Sequence, residues 1–358
     1  MHTVFLTGGT GFIGRHLVDR LLADGCAVRC LVRSPNQAGH LQRDGIRLVA
    51  GSLEDVDGWR GDLAGCDAVI HAGGLVAARR RRDLFDINGA AVGRLADACA
   101  ACTTPPVLVH VSSLAAAGPA RRRDTPRDEA DPAAPVSVYG ASKQAGEAAL
   151  ERRAGRLPIT ILRPGIVFGE HDTKVAAMFQ SIERFRLHVR MGFRDAPLSL
   201  IHAADLAALA VAAAERGERL AAAGVPGHGV YQACDDREHP TYAALGRKIA
   251  RALGRSVLVF PLPLTVAWPA SLAVESFWSL LGPPSIVSPD KLREATAGSW
   301  AASAAKARDE LGFAPAATLD ARLRQTADWL RAVMGWQARP AGRRSDPAST
   351  GPPWPPAI

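Results

Sequence analysis

Tyr139 and Lys143, in Tyr139-Gly140-Ala141-Ser142-Lys143, lie four residues apart, a spacing that sets a phenol and an ammonium one helical turn apart on a shared face. A free phenol ionises near pH ~10, so proton exchange at neutral pH needs a cation beside it, and Lys143 is such a cation. Upstream, Val109-His110-Val111-Ser112-Ser113 reads as the end of a buried strand. A hydroxyl at that place can donate to a carbonyl oxygen as negative charge develops there. Nearer the N-terminus, Thr7-Gly8-Gly9-Thr10-Gly11-Phe12-Ile13-Gly14 follows an apolar run and opens an amphipathic segment. Glycines there permit a tight turn and close backbone approach, while the free N–H groups and dipole of a helix start hold a pyrophosphate. Each signal alone is a common accident. In this order they imply a hydride-transfer centre served by a nicotinamide dinucleotide.

About 20 residues past such glycines an acid usually binds the adenosine ribose of NAD. The chain instead reads Leu31-Val32-Arg33-Ser34. Arg33 suits a 2′-phosphate, which favours NADP over NAD, the alternative being a merely solvent-exposed guanidinium.

These residues must be held by a scaffold. Short β-branched or aliphatic runs at Val4–Thr7, Ala27–Val32, Arg47–Ala50, Ala68–Ala72, Val107–Val111 and Ile159–Arg163 alternate with helical patterns such as Phe12–Asp24 and Val138–Arg153. Strands separated by helices imply βαβ units, right-handed crossovers and an α/β fold with a doubly wound parallel Rossmann sheet. After Phe168 prolines interrupt shorter helical segments, which implies a smaller C-terminal substrate lobe. The expected division is 1–168 for the dinucleotide-binding domain, 169–336 for the lobe with some segments returning to the first domain, and 337–358 for a disordered tail rich in Pro, Gly, Ser and Arg. The apolar stretch Val257–Leu281 is broken by Pro261, Pro263, Pro269 and Glu275, so it does not read as a membrane span. It packs within the lobe, covers the substrate as an apolar lid, or rests on a membrane surface.

Composition narrows the function classes. With 47% hydrophobic and 22% charged residues the chain has the make-up of an ordinary globular protein. The net charge of +8 sits largely in short arginine runs (Arg79 to Arg82, Arg121 to Arg123, Arg343 and Arg344) without interleaved aromatics, so no nucleic-acid partner is expected. Six scattered cysteines do not make a disulfide scaffold, and Cys99 and Cys102 form a C-x-x-C with no second pair, so no metal is expected. The chain enters its first apolar run at Thr3 without a basic leader, and the reading is cytoplasmic.

Together the motifs resemble the extended short-chain dehydrogenases/reductases of the NAD-dependent epimerase/dehydratase type, over roughly residues 1 to 335. Val69-Ile70-His71-Ala72, Asn88, Glu147, Leu162-Arg163-Pro164-Gly165, Phe168-Gly169, Ile201-His202 with Asp205, and Lys306-Ala307-Arg308 with Glu310-Leu311-Gly312 complete the series. The resemblance implies that Tyr139 is the acid/base, that Lys143 sits on the nicotinamide ribose and lowers the tyrosine pKa, that Ser113 polarises the substrate oxygen and that Asn88 supports them. It also implies cofactor contacts from Gly8, Thr10, Gly11, Phe12, Ile13, Gly14, Arg33, Ser52, Leu53, Ala72, Gly73, Pro164 and Gly165, with Tyr139 and Lys143, and a homodimer built on helices near residues 90 to 103 and 138 to 153.

Departures from the family pattern narrow the branch. Dehydratases carry an Asp-Glu pair after the serine, where this chain has Leu114-Ala115, so water elimination is not expected. Nucleotide-sugar members often hold the diphosphate with an arginine three residues before the histidine step, where this chain has Leu198. Ser52 stands where an adenine-contacting Asp is usual, and Asn88-Gly89-Ala90-Ala91-Val92 lacks the usual Gly-Thr ending. The expected activity is interconversion of a secondary alcohol and a ketone on a bulky, apolar, hydroxysteroid-like small molecule. The alternatives are a nucleotide-sugar epimerase with tightly bound NAD and a non-enzymatic NADP-binding redox sensor.

Overall fold

Aliphatic and β-branched runs become strands wherever helices cover both faces of the sheet. The computed structural model describes residues 1–122, 124–221, 225–281 and 288–335, without the side chains of Gln37 and of 275–281. The expected tail at 337–358 lies outside the described residues, as do Arg123, Pro283 and Pro284. In chain order the first half forms β1 (Thr3–Thr7), α1 (Phe12–Ala23), β2 (Ala27–Val32), β3 (Ile46–Ala50), β4 (Ala68–His71), α2 (Arg81–Phe85), α3 (Ala91–Ala100), β5 (Val107–Val111), α4 (Leu114–Ala117), α5 (Val138–Glu151) and β6 (Ile159–Pro164). A π-helical turn, Asp86–Ala90, joins α2 to α3.

The second half adds β7 (Ile166–Phe168), α6 (Lys174–Phe185), β8 (Leu187–Met191), β9 (Leu200–His202), α7 (Ala203–Arg216), β10 (Val230–Ala233), α8 (Tyr242–Ala252), β11 (Leu258–Leu262), α9 (Leu264–Leu281), α10 (Pro289–Thr296), α11 (Ala305–Leu311) and α12 (Leu319–Met334). Seven strands make one parallel sheet in the order β10-β6-β5-β4-β1-β2-β3, with β10 returning from the second half. The order reverses between β1 and β4, and in such sheets ligands bind at the C-terminal edge beside that reversal. Thr7 and His71 are register partners there.

Two cores flank the sheet. Leu6, Leu17, Leu21 and Ile70 pack with α7 residues such as Leu206 and Ala210 on one side, and Phe5, Val69, Leu95 and Leu150 pack on the other. A third core (Phe179, Leu245, Leu323 and Leu330, joined by Phe168) lies in the lobe. The lobe is tied to the sheet half by Asp205 on α7, which accepts from Ala316 N at 3.1 Å and pairs with Arg322 of α12 at 2.5 Å.

Several boundaries differ from the sequence reading: β1 starts at Thr3, β3 at Ile46, and β6 runs on to Pro164. β4 stops at His71 because the chain turns off at Ala72, whose N–H still reaches Thr7 O at 3.1 Å. The first helix ends at Ala23 with Asp24 as its cap, and the helix carrying Tyr139 ends at Glu151. Val257–Leu281 divides into β11, paired parallel with β8, and the 18-residue α9, which contains Pro269. No helix among the described residues is long and apolar enough to cross a membrane.

Candidate functional site

The glycine loop is shaped by close backbone approach. Gly8 has φ +80°, and a Cβ there would fall 2.6 Å from Gly73 N and against Ala72, so the loops after β1 and β4 touch only if Gly8 has no side chain. A Cβ on Gly14 would collide with the carbonyl oxygen of Gly8, which fixes how closely α1 docks under the loop. Helix α1 starts at Phe12 behind Gly11, with no side-chain cap and no acid in its first turn. Its orphan N–H groups and the positive end of its dipole therefore face the crevice, and these features fit a pyrophosphate. Thr10 is exposed at the mouth, and Phe12 and Ile13 are half-buried.

Neighbouring strand ends extend the cradle. Thr7 Oγ1 meets His71 Nδ1 at 2.6 Å and accepts from Gly73 N at 3.4 Å. Beyond β3, Trp59 stacks on Phe5 with centroids 5.2 Å apart and donates from Nε1 to Ser52 O at 2.8 Å. That bond holds Ser52 and Leu53 beside Gly73, whose Cβ position is 3.4 Å from Leu53 Cδ1. Arg33 is exposed directly after β2, and Pro164 and Gly165 occupy the end of β6, with Gly165 N donating to Ala233 O at 3.1 Å. Trp59 escaped the sequence reading, since its only signal was a lone aromatic in a polar loop.

Ser113, Tyr139, Lys143 and Asn88 converge although 55 residues separate Asn88 from Lys143. Ser113 caps α4, its Oγ accepting from Ala115 N at 3.1 Å, and it hydrogen-bonds the Tyr139 phenol. Burial pushes the phenol up to about 12, against the lowering effect of Ser113, and Glu294 adds to the rise. Lys143 is buried and donates from Nζ to Val111 O at 2.9 Å. Burial lowers its ammonium to about 8, with Glu147 opposing. Lys143 lies one helical turn after Tyr139 on α5. Asn88 accepts from Leu75 N at 2.9 Å and donates to Leu75 O at 2.7 Å and Ser142 Oγ at 3.0 Å, so it fixes the loop after β4 against α5. It does so from the π-helical turn, a distortion that often marks functional positions.

Beneath them lies a buried ionic network. Glu147 accepts from Ser112 Oγ and pairs with Arg163 at 2.7 Å, and both members of the ion pair are buried. His71 and His110 stack at 5.1 Å on adjacent strands. Burial, with Lys143 nearby, lowers His71 to about 3 and His110 well below its usual value. From the lobe, Asp290 Oδ1 accepts from Val138 N at 2.7 Å and Oδ2 from Tyr139 N at 3.2 Å. Nothing local in the sequence announced that contact across some 150 residues.

The departures also have places. Leu114 and Ala115 are buried apolar residues of α4, and Leu198 packs on the lobe core. The arginines from Arg79 to Arg82 are exposed, Cys99 is buried and Cys102 half-buried at the end of α3, and no group of His, Cys, Asp or Glu among the described residues could hold a metal ion. A concavity of about 390 Å³ lined by Thr3, Ala27, Gly45 and Arg47 opens at the opposite ends of the strands, away from these residues.

The NAD dependent epimerase/dehydratase family model matches residues 4–225. A ceramide reductase of Caulobacter vibrioides is 29% identical over 334 residues, covering 93% of this chain and 95% of that protein. A 4-hydroxy-2-methyl-3-oxo-4-farnesyl-3,4-dihydroquinoline-1-oxide ketoreductase of Stigmatella aurantiaca is 30% identical over 358 residues, covering 96% and 98%. Among solved structures, the UDP-glucose 4-epimerase of Thermus thermophilus in complex with NAD superposes with a TM-score of 0.70 at 22% identity, covering 92% of this chain and 99% of that one, which speaks for the fold.

Proposed function

This chain belongs to the NAD dependent epimerase/dehydratase family, and from that premise we propose that it is an NADP-linked reductase or dehydrogenase acting on a bulky, apolar, lipid-like ketone or alcohol. The observation that carries the reading is the convergence of Ser113, Tyr139 and Lys143 at the end of β5, beside a glycine cradle and with no acid at Leu114 or Ala115. Gly8 to Gly14, Ala72 and Gly73 would hold a nicotinamide dinucleotide, which would supply the hydride exchanged with the carbonyl carbon. In the reductive direction the Tyr139 phenol gives its proton to the carbonyl oxygen, while the Ser113 hydroxyl donates a hydrogen bond to that same oxygen. Lys143 follows Tyr139 by one turn of α5 with its ammonium on Val111 O at 2.9 Å, and Asn88 keeps that turn in place through Ser142. Without a carboxylate pair next to Ser113, nothing in the site abstracts a second proton for elimination.

Two observations favour an apolar substrate. Leu264, Val266 and Leu272 on α9 are 37%, 53% and 53% exposed, and Leu258 and Phe260 of β11 and Phe193 after β8 are exposed on the same lobe. Such a face suits an acyl or isoprenoid chain or the membrane surface that holds it. The two full-length relatives are named for ceramide and for a farnesylated quinoline oxide, both with long apolar chains. Preference for NADP rests on the exposed Arg33 at the end of β2.

Single-turnover assays with NADPH and a panel of long-chain ketones test the reading. Tyr139→Phe should lower kcat by about 10²- to 10⁴-fold with NADPH affinity retained. Arg33→Ala should weaken NADPH by about tenfold or more and NADH little. Near-normal turnover in the first variant sinks the chemistry, and equal losses in the second sink the cofactor preference. NAD retained through purification, with a nucleotide sugar turned over, would point to an epimerase instead.

A further inference from the structure

We infer that Asp290, carried by α10 of the C-terminal lobe, is a positioning residue for the acid/base step: its carboxylate completes the first turn of α5 and so sets Tyr139 beside Ser113. The inference rests on the reading of Tyr139 as the acid/base.

A helix leaves its first N–H groups without partners of its own, and at α5 each of them can be traced. Ala141 N makes the first internal bond, to Ser137 O at 2.9 Å. Gly140 N donates to Ser137 Oγ, also at 2.9 Å. The other two are met from the lobe, Val138 N donating to Asp290 Oδ1 at 2.7 Å and Tyr139 N to Asp290 Oδ2 at 3.2 Å. A carboxylate at this place also faces the positive end of the helix dipole. One side chain some 150 residues away in sequence thus meets the donors that Ser137 leaves open.

The turn is gripped from both sides. Gly140 lets it lie against α4, because a Cβ there would collide with the carbonyl oxygen of Ala115, two residues past Ser113. On the lobe side, Glu294 Oε1 accepts from the Ser137 hydroxyl at 2.5 Å, and Glu294 adds, after burial, to the raised proton affinity of the Tyr139 phenol. Lys291, over the Tyr139 ring at 4.7 Å, pairs with Glu294 Oε2 at 2.6 Å. Helix α10 is in turn braced by the lobe: Trp300 Nε1 donates to Glu294 O at 2.9 Å, and Arg293 lies 5.8 Å from the centroid of the Trp268 ring of α9. Arg293 Nη1 stands 3.7 Å from Asp290 Oδ1, a longer approach than either N–H bond. Ser113 caps α4 at the end of the sheet while Asp290 belongs to the lobe, so the spacing of phenol and serine hydroxyl follows the seating of the lobe. Placement of the proton donor is thereby tied to the lobe.

The test needs no substrate. The chain has three tyrosines, Tyr139, Tyr231 and Tyr242, so ¹³Cζ-labelled full-length protein gives three resonances, and Tyr139→Phe identifies one of them. At neutral pH, Ser113→Ala removes the hydrogen bond to the phenol and should move that resonance. Asp290→Ala should move it at least half as far, and adding Ser113→Ala should then move it little more. Asp290→Asn, which still offers an acceptor, should fall between Asp290→Ala and the parent. The peptide N–H groups of Val138 and Tyr139 should exchange with deuterium about tenfold faster in Asp290→Ala, while the rest of α5 keeps its protection. A second variant separates positioning from folding. Proline suits the first position of a helix, and Ser137 has φ −127° and ψ 158°, the extended backbone that a following proline favours. Val138→Pro, added to Asp290→Ala, removes one of the two orphaned donors and should bring the Tyr139 resonance part of the way back. The proposal is overturned by a Tyr139 resonance that Asp290→Ala leaves in place, by a full Ser113→Ala shift on top of Asp290→Ala, by no return with Val138→Pro, or by Tyr231 and Tyr242 resonances that move together with it. Loss of turnover in Tyr139→Phe is read separately, so failure here leaves the hydride-transfer reading standing.

Discussion

The glycine loop is defined by backbone contacts and the face of the C-terminal lobe by side chains. At Gly8 and Gly14 the atom a side chain would need lies against another stretch of main chain, so loop, strand ends and α1 fit together only with those residues. On the lobe, α9 presents Leu264, Val266 and Leu272 to solvent, and α10 meets α5 through Asp290, Lys291 and Glu294, contacts that other residues could replace. A region built by main-chain sterics tolerates little change, whereas one built from surface side chains can alter its ligand without altering its fold.

The largest effect should come from one methyl group in the cradle. Gly14→Ala places its Cβ against the carbonyl oxygen of Gly8 and near Gly9 Cα, backbone atoms with no room to yield. Dinucleotide binding, followed by nicotinamide fluorescence, should be lost, and stability in urea should fall by about 3 kcal/mol. Gly39→Ala, whose added carbon meets nothing within 4 Å, is the control and should behave as the parent. If Gly14→Ala binds NADPH normally, the cradle is not set by backbone contact.

The sheet half should also be the acid-labile half. His71 and His110 are fully buried, stacked and held neutral, their pKa values lowered by burial and by Lys143. The unfolded chain takes up protons near pH ~6.5, well before the folded one does. Their favourable contribution is therefore present above that pH and lost as pH falls toward about 3, at roughly 1.4 kcal/mol per unit for each histidine. Urea midpoints should drop between about pH 7 and 5, and His110→Phe, which keeps a ring in the stack, should remove about half of the slope. A parent protein equally stable at both pH values would exclude this.

How much could be read from the sequence follows the same division. The strands, the glycine loop, Ser113, Tyr139 and Lys143 were legible because burial on both faces, close backbone approach and one-turn spacing each dictate residue types within a few positions. The later landmarks were legible too, but the structure uses several of them as ties. Asp205 holds α12, Lys306 pairs with Glu218 at 2.5 Å, and Glu310 accepts from the Tyr231 hydroxyl at 2.6 Å. What could not be read were partners chosen by tertiary packing: Trp59 under Ser52, Arg163 on Glu147, and α10 over Tyr139. A lysine some 150 residues away has no local pattern that names its aromatic partner.

The smallest effect, and the sharpest test of the division, lies on the α9 face. Val266 is 53% exposed beside Leu264, which itself packs over Gly192 next to Phe193. Replacing it with aspartate removes part of one aliphatic side chain from any bound acyl chain or lipid surface and adds a charge there. Losing roughly 1 kcal/mol of apolar burial corresponds to about a fivefold rise in KM for a long-chain ketone, and a similar loss in binding to vesicles of phosphatidylglycerol and phosphatidylcholine. NADPH affinity and kcat should stay at the parent value, since no contact of the glycine loop or of Tyr139 involves this position. Altered cofactor binding would show that the two ends are not separable. An unchanged KM, with unchanged vesicle binding, would show that the apolar face serves neither substrate nor membrane, and would leave Ser113, Tyr139 and Lys143 with a smaller and more polar partner.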